Sequence, residues 1–279
     1  MVPHRSELGA DMSACDWTAS GYLTIGDARL HYACLGPRPD ECPTLVMLHE
    51  GLGSIELWRD FPAELQAATG LGVFLYSRQG YGRSTPVTLP RPFDYHVSEA
   101  VDVLPKALDA IGLQRGMLVG HSDGATIAAL HAAHVPDGRI EGIVLMAPHF
   151  FVEDVAVEGV KRALAAYEAG PLRARLARYH DDVDGAFHGW NDTWRNPDFR
   201  DWSIETDLDR IVTPVLAIQG RGDEYGTLKQ FDPLRDRVKG AFTELVFEDC
   251  GHIPFLDKPT ETVAAITRFA DDCGLINSR

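Results

Sequence analysis

Short apolar runs alternate with segments of helical spacing along most of this chain, and this alternation restricts the fold more than any other feature. Four of the runs are continuous and too short for helices, so each predicts a strand buried on both faces. They are PTLVMLHE, GVFLYSRQG, GMLVGHS and IEGIVLMAP. Strands of this kind, connected through helices, form a parallel sheet that the helices cover.

Two further regions extend the sheet. The segment GYLTIGDARLHYACLG contains two short alternating runs around Gly26 and Asp27, which is typical of a β-hairpin and predicts an antiparallel edge. After residue 209 the pattern resumes with a strand in PVLAIQG, a helix in GTLKQFDPLRDRVKG, a strand in FTELVFED and a last helix in KPTETVAAITRFADDCG. The sequence therefore predicts an α/β fold with a mostly parallel, eight-stranded sheet flanked by helices.

Residues 150–209 interrupt this order. They contain helical, charged and aromatic segments but no apolar strand, so we expect a helical cap inserted after the sixth strand. The core is then formed by residues 1–149 and 210–279. A chain of 279 residues fits one core with an insertion.

The charge balance narrows the choice of partners. Asp and Glu number 41 and Lys and Arg number 26, and no run of basic residues offsets the net charge of -15, so nucleic acid and anionic membranes are excluded as partners. We find no leader segment and no apolar run of membrane-spanning length, and expect a cytoplasmic protein, monomeric or homodimeric, with a small-molecule substrate. The five cysteines lack CxxC spacing and predict free thiols without a metal site.

The segment GHSDGA places Ser122 between a buried strand and a helix. This is the context in which a GxSxG motif marks a catalytic nucleophile, because the sharp turn tolerates only small neighbours and the helix directs N–H groups towards charge that develops at the serine. The alternative is a serine that only caps the helix. The flanking strand and helix favour the nucleophile.

A catalytic serine needs a general base and an acid that orients it. Asp223 follows a buried strand, with Glu224 as a competing carboxylate, and His252 follows the last strand in a loop closed by prolines. The alternatives are a turn carboxylate and a surface histidine. The order Ser, Asp, His along the chain is that of the α/β-hydrolase arrangement. The oxyanion donors are expected from the backbone of Asp123 and from the HEGLGS loop, where Gly51 is the first candidate and Leu52 the second.

Together these motifs resemble the α/β-hydrolase superfamily, in its capped esterase and meta-cleavage-product hydrolase-like group. The resemblance is carried by the histidine and glycine after the third strand and by SRQGYGRS, GHSDGA, GRGDEYG and GHIPFLDKP, and it spans nearly all of residues 20–275. It implies an α/β-hydrolase fold, a lid over the pocket, and the following roles: Ser122 as nucleophile, His252 as base, Asp223 as acid, and Gly51 and Asp123 as oxyanion donors.

Two residues depart from the family pattern. Glu50 follows His49, where the family commonly has a glycine, and Asp123 follows Ser122, where an apolar residue is frequent. Two carboxylates are therefore expected near a site that must stabilise a negative oxygen. Our hypothesis is that both are hydrogen-bonded away from the oxyanion, to backbone donors or to a base such as Arg78. The rival hypothesis is that one of them attracts a cationic or polar substrate group.

The reaction expected from these residues is hydrolysis of a small ester, thioester or lactone through an acyl-serine, without metal or cofactor. Carbon–carbon bond hydrolysis of a meta-cleavage-type product would usually require a basic residue for the substrate carboxylate, such as Arg78, Arg195 or Arg221. A non-catalytic ligand receptor is the third alternative. Besides Glu50, cap residues are candidates for the pocket wall, although they could equally pack the cap on the core: Phe150, Phe151, His188, Trp190 and Trp194.

Overall fold

The computed structural model describes residues 15–17 and 19–276. The first 14 residues, where no leader is predicted, lie outside the described part of the chain. The strands form one eight-stranded sheet in the order β1-β2-β4-β3-β5-β6-β7-β8. Their bounds are β1 Ser20–Ile25, β2 Ala28–Leu35, β3 Thr44–Leu48, β4 Gly72–Tyr76, β5 Gly116–His121, β6 Ile140–Met146, β7 Val215–Gly220 and β8 Phe242–Phe247.

The pairing of the strands confirms the predicted sheet. β1 and β2 form an antiparallel hairpin, which turns at Gly26 with a φ of 57°, and β2 pairs antiparallel with β4. All the other pairs are parallel. Strands β3, β4, β5 and β7 are completely buried, and β6 is buried except at Glu141, as expected of parallel strands covered on both faces.

Helices cover both faces of the sheet. Their bounds are α1 Phe61–Thr69, α2 Tyr95–Ser98, α3 Leu104–Ala110, α4 Asp123–His134, α5 Asp154–Glu168, α6 Pro171–Leu176, α7 Val183–Arg195, α8 Asp232–Arg237, α9 Pro254–Asp257 and α10 Pro259–Asp272. One apolar cluster joins the sheet to α3 and α4, and a second joins it to α1 and α10. None of these helices, in the part of the chain that the structure describes, has both the length and the apolar character needed to cross a membrane.

Two helical segments depart from regular α-helix. The segment before β5 contains a π-helical turn, Glu99–Val103, between α2 and α3, because Pro105 has no N–H to continue the regular ladder. The helix predicted between β7 and β8 is a 3-10 turn, Leu228–Phe231, followed by the short α8, whose first turn contains Pro233.

Helices α5, α6 and α7 lie between β6 and β7 and form an apolar cluster of their own. The ends of the predicted cap range belong instead to the main core. Phe150 at one end, and Ile204 and Leu208 at the other, are buried in the cluster under α4. The separately packed part of the insertion is therefore smaller than residues 150–209.

Candidate active site

The turn between β5 and α4 holds Ser122 in a strained conformation. Its φ is 52°, in the left-handed region, and its N–H donates to the carbonyl of Met146 at the end of β6. A Cβ atom added to Gly120 would overlap the backbone of Gly124, and one added to Gly124 would overlap the carbonyl of Leu48. Both glycines of GxSxG are thus required by close backbone approach, and the serine is presented where β5 ends.

The imidazole of His252 lies against the carboxylate of Asp223. Its Nδ1 is 2.9 Å from both carboxylate oxygens. Since a carboxylate only accepts, Nδ1 carries a hydrogen and donates a hydrogen bond to Asp223. The backbone N–H groups of Tyr225 and Gly226 donate to the same carboxylate at 2.8 and 3.2 Å, and the side-chain amide of Gln219 donates at 2.7 Å. These donors hold the carboxylate in one orientation.

The electrostatics of this pair suit a base and its orienting acid. Burial by itself raises the pKa of Asp223, but the charge and hydrogen bond of His252 outweigh it, and the pKa lies below its ordinary value. Burial by itself lowers the pKa of His252, but the negative charge of Asp223 outweighs it and raises the pKa above its ordinary value. Glu224, the competing carboxylate in the sequence, is exposed, and the carboxylate that pairs with the imidazole among the described residues is that of Asp223.

On the other side of Ser122, three donors fix the peptide group that joins Glu50 to Gly51. The carbonyl of Glu50 accepts from Nδ1 of His49 at 2.7 Å, from Nη2 of Arg78 at 3.1 Å and from the N–H of Gly53 at 3.1 Å. The N–H of Gly51 belongs to the same planar, trans peptide group and points opposite to that carbonyl. The hydrogen bonds to the Glu50 carbonyl therefore also fix the direction of the Gly51 N–H, the predicted oxyanion donor.

The side chain of Asp123 is buried and makes polar contacts with three neighbouring side chains. The hydroxyl of Tyr95 donates to it at 2.7 Å, Nε2 of His96 lies 3.3 Å away and Nη2 of Arg78 lies 3.7 Å away. Burial by itself raises the pKa of Asp123, but these neighbours outweigh it and hold the pKa well below its usual range. We call Arg78, Tyr95, His96 and Asp123 the floor network.

The floor network provides the partners of the Asp123 carboxylate, one of the two carboxylates that depart from the family pattern. Arg78 also donates to the carbonyl of His49, so one guanidinium contacts both the oxyanion loop and the residue after the nucleophile. Its positive charge compensates the negative charge of Asp123, as our hypothesis for that residue requires.

The carboxylate of Glu50 has a different environment. Its Oε2 lies 3.6 Å from Nδ1 of His121, beyond hydrogen-bond distance, and 23% of the side chain is exposed. Nε2 of His121 donates to the carbonyl of His252. Burial by itself raises the pKa of Glu50, but His121 and Arg78 outweigh it and lower the pKa. Glu50 is thus not held by Arg78 through its carboxylate.

An inner cavity of about 140 Å³ brings the predicted residues together. Ser122, Asp123, His252, Gly51 and Glu50 line it, and Trp190 and Trp194 of α7 form part of its wall. A Cβ on Gly51 would overlap the indole of Trp190, so this glycine lets the cap close onto the oxyanion loop. The indole N–H of Trp194 donates to the hydroxyl of Tyr95 at 3.1 Å and joins the cap to the floor network.

Two of the predicted wall residues lie elsewhere. Phe150 is fully buried, because its apolar ring packs in the main core, and its N–H donates to the side chain of Gln230. The expectation that Phe150 lines the pocket is therefore wrong. His188 is 40% exposed and pairs with Asp192 on the surface of the cap. Phe151 is partly buried against the main core.

The candidate arginines for a substrate carboxylate also lie outside the inner cavity. Arg195 contacts Asn191 and Asp192 on the cap surface, and Arg221 forms an exposed ion pair with Glu248. Arg78 is buried below the cavity in the floor network. Among the described residues, no lysine or arginine lines the inner cavity.

His149, which follows β6, also lines the inner cavity and was not among the residues predicted from the sequence. Its Nδ1 has no hydrogen-bond partner among the described residues, and its ring lies 5.7 Å from the ring of His252. Burial, with the neighbouring His252, lowers its pKa to about 4. A polar residue in the loop after a buried strand, behind Ala147 and Pro148, was the available signal. Tyr225, on the loop of Asp223, completes the wall beside the ring of His252.

Known proteins support this arrangement at the level of the fold and family. The model of the alpha/beta hydrolase family matches residues 45–266. Epoxide hydrolase B of Mycobacterium tuberculosis is 28% identical over 171 residues, which are 60% of this chain and only 44% of that protein. The bifunctional esterase/perhydrolase DCH of Acinetobacter calcoaceticus is 27% identical over 234 residues, covering 73% of this chain and 82% of the relative.

A solved structure gives the same result for the fold. The 2-hydroxy-6-oxo-6-phenylhexa-2,4-dienoate hydrolase from Rhodococcus sp. strain RHA1 superposes with a TM-score of 0.75 at 18% identity. The match covers 89% of this chain and 97% of the other. At this identity the similarity concerns the fold alone.

Proposed function

The chain belongs to the alpha/beta hydrolase family, and from this premise we propose that it is a serine hydrolase that cleaves a small carboxylic ester, thioester or lactone through an acyl-serine intermediate. The observation that carries the proposal is the strained Ser122 in the same cavity as an imidazole that a buried carboxylate orients. The similarity to an esterase/perhydrolase is consistent with it.

In the proposed first step, His252 takes the proton of the Ser122 hydroxyl while the serine oxygen bonds to the substrate carbonyl carbon. The bond to the leaving alcohol or thiol then breaks, and His252 returns the proton to that group. In the second step water loses a proton to His252 and attacks the acyl-serine. The acid is released, and the proton returns to Ser122.

The negative oxygen of each tetrahedral intermediate lies, in this mechanism, between two backbone donors. The N–H of Asp123 is the first in α4 and has no acceptor within the helix, and the N–H of Gly51 is oriented by the contacts of the Glu50 carbonyl. Arg78 acts as a positioning residue. Its guanidinium contacts the carbonyls of His49 and Glu50 in the oxyanion loop and faces the carboxylate of Asp123, the residue after the nucleophile.

The second candidate, carbon–carbon bond hydrolysis of a meta-cleavage-type product, is less well supported. Such a substrate carries a carboxylate, and the inner cavity offers Glu50 but no lysine or arginine among the described residues. An anion next to Glu50 would be repelled. We therefore favour an ester whose reacting end is uncharged.

Labelling with a fluorophosphonate, followed by peptide mapping, tests the nucleophile. We expect modification of Ser122 in the native protein and none in Ser122→Ala. A pre-steady-state burst with p-nitrophenyl acetate is expected from the acyl-serine. Labelling elsewhere, or a native protein that neither labels nor turns over esters, would contradict the proposal and favour a ligand receptor.

A direct comparison of substrates separates the two hydrolase candidates. The native enzyme is given p-nitrophenyl acetate and a vinylogous diketone acid under the same conditions, and Ser122→Ala serves as the blank. We expect the larger kcat/KM for the ester. A larger value for the diketone acid would assign carbon–carbon cleavage instead.

A further inference from the structure

An outer groove of about 650 Å³ adjoins the inner cavity. The two share Glu50, Leu52, Tyr225 and Ile253 in their walls, so the groove leads from the surface to the residues around Ser122. It is lined by α5 and α6 of the insertion and by the segments that precede α1 and follow β7 and β8. Much of the surface is apolar, as an extended hydrocarbon chain would require.

Three arginines stand in this groove: Arg59, Arg162 and Arg175. All three are exposed, and none forms an ion pair with a carboxylate among the described residues. Arg162 donates to the backbone carbonyl of Glu224, at 3.3 Å. The charges of Arg162 and Arg175 lower the pKa of Tyr225, although burial, the larger effect, raises it overall.

Three unpaired cations in one groove are unexpected on this protein, which has 41 acidic and 26 basic residues. The surface arginines elsewhere commonly pair with carboxylates, as Arg115 does with Glu141 and Arg235 with Glu244. Within the groove, the acidic residues are Glu50 and Glu224. The groove therefore carries a positive charge of three against two carboxylates, and a cleft concentrates the field of its charges.

We propose that the outer groove is an anion subsite, in which Arg59, Arg162 and Arg175 bind a carboxylate or phosphate at the far end of an extended substrate whose uncharged ester or thioester reaches Ser122 through the inner cavity. The inference rests on the proposed hydrolase function and adds a substrate class to it. Guanidinium groups suit both anions, because their paired donors match carboxylate and phosphate oxygens.

Matched substrate pairs test the subsite. For an anion on the acyl side, monomethyl adipate, suberate and sebacate are each compared with the methyl ester of the ω-hydroxy acid of the same length. For an anion on the leaving group, S-acetyl phosphopantetheine is compared with S-acetyl pantetheine. We expect the anionic member of at least one pair to have a kcat/KM about tenfold higher, mainly through KM, which corresponds to about 1.4 kcal/mol.

Arginine variants assign that preference to the groove. Arg59→Gln, Arg162→Gln and Arg175→Gln are expected to reduce the ratio of anionic to neutral kcat/KM by about 1.4-fold to fivefold each, as exposed ion pairs of about 0.2–1 kcal/mol imply. The triple variant is expected to abolish the preference. Arg268→Gln is the matched control, since Arg268 is exposed and lines a different groove beside α10.

The possible failures are distinguishable. If Ser122 labels with fluorophosphonate but the native enzyme prefers the neutral member of every pair, the subsite is wrong and the proposed hydrolase function stands. A preference that survives in the triple variant also overturns the subsite. If no ester is cleaved and Ser122 does not label, the hydrolase proposal itself fails.

Discussion

The floor network and the outer groove both use arginine, and they use it in opposite ways. Arg78 is fully buried, its guanidinium contacts two backbone carbonyls, and it faces the carboxylate of Asp123. Arg59 and Arg175 are exposed and have no carboxylate partner among the described residues. One set of charges is satisfied by the protein, and the other remains available to a ligand.

This contrast suggests a division of work. A buried charge is tolerated only when it is paired and hydrogen-bonded, so the floor network is a fixed support for the nucleophile and the oxyanion donors. An exposed charge costs little to leave unpaired. We therefore expect changes around the floor to affect stability and turnover for every substrate, and changes in the groove to affect the choice among substrates.

Asp223→Asn should have the largest effect on turnover. The amide cannot keep the proton on Nδ1 of His252, nor stabilise its charged form, and loss of the corresponding carboxylate in a serine protease costs roughly 10⁴-fold in kcat. We expect a loss of this order for anionic and neutral esters alike, measured by steady-state kinetics. Glu224→Gln is the adjacent control with neutral esters, since Glu224 also lines the outer groove and its charge there acts on anionic esters. A loss for only one of the two kinds of ester would contradict the expectation that Asp223 supports the turnover of every substrate.

Arg78→Met and Asp123→Asn should destabilise the protein strongly. Each leaves a buried charge without its partner, which typically costs about 3–5 kcal/mol of unfolding free energy, whereas Arg59→Met should stay within about 0.5 kcal/mol. Urea unfolding measures all three.

The double variant Arg78→Met/Asp123→Asn sharpens this test. Since it removes both charges together, its cost should be clearly less than the sum of the two single costs. Strictly additive costs would show that Arg78 and Asp123 are not coupled, and the floor would lose its description as a network.

The stability of the region around the cavity should also depend on pH, through His149. Its pKa is about 4 in the folded protein, against the ordinary value of 6.5, because of burial and the neighbouring His252. Between these two pH values the unfolded chain binds more protons than the folded one, so stability falls as the pH falls below about 6.5 and the loss levels off below about 4. This group alone accounts for about 2 kcal/mol between pH 8 and pH 5.

His149→Phe tests this contribution. The variant should lose about 2 kcal/mol less than the native protein over the same pH interval, as followed by urea unfolding at each pH. The exposed His188 is the control, and His188→Phe should keep the native pH dependence. Equal pH dependence in the native protein and His149→Phe would contradict the buried, neutral state of His149.

The fold and the convergence at the site were accessible to sequence reasoning for one physical reason. Apolar runs without alternation indicate parallel strands, and the carboxyl ends of parallel strands meet at one edge of the sheet. Ser122, Asp223 and His252 each follow such a strand, and the structure brings them together there. The hairpin at Gly26 was equally local in origin, because a two-residue turn determines the pairing of its strands.

What sequence reasoning missed depends on residues far apart in the chain. The support of the Asp223 carboxylate by Gln219, and of the Glu50 carbonyl by Arg78, follows from tertiary contacts that no spacing encodes. The absence of a basic run in the sequence concealed the outer groove, since its arginines come from separate segments. Phe150 was misplaced because hydrophobicity does not distinguish a cavity wall from a core.

Glu50→Gln should have the smallest effect on stability, and it separates the two carboxylates that depart from the family pattern. The carboxylate of Glu50 is partly exposed and lies 3.6 Å from His121, so its removal should change the unfolding free energy by less than about 0.5 kcal/mol, far less than Asp123→Asn. Because Glu50 lines both the inner cavity and the outer groove, the amide should also raise kcat/KM for anionic esters relative to neutral ones. Urea unfolding and the matched ester pairs give both values. If neutral esters instead turn over faster with stability unchanged, the carboxylate opposes the oxyanion in the native enzyme, and Glu50 belongs to the chemistry of the site more than to its choice of substrate.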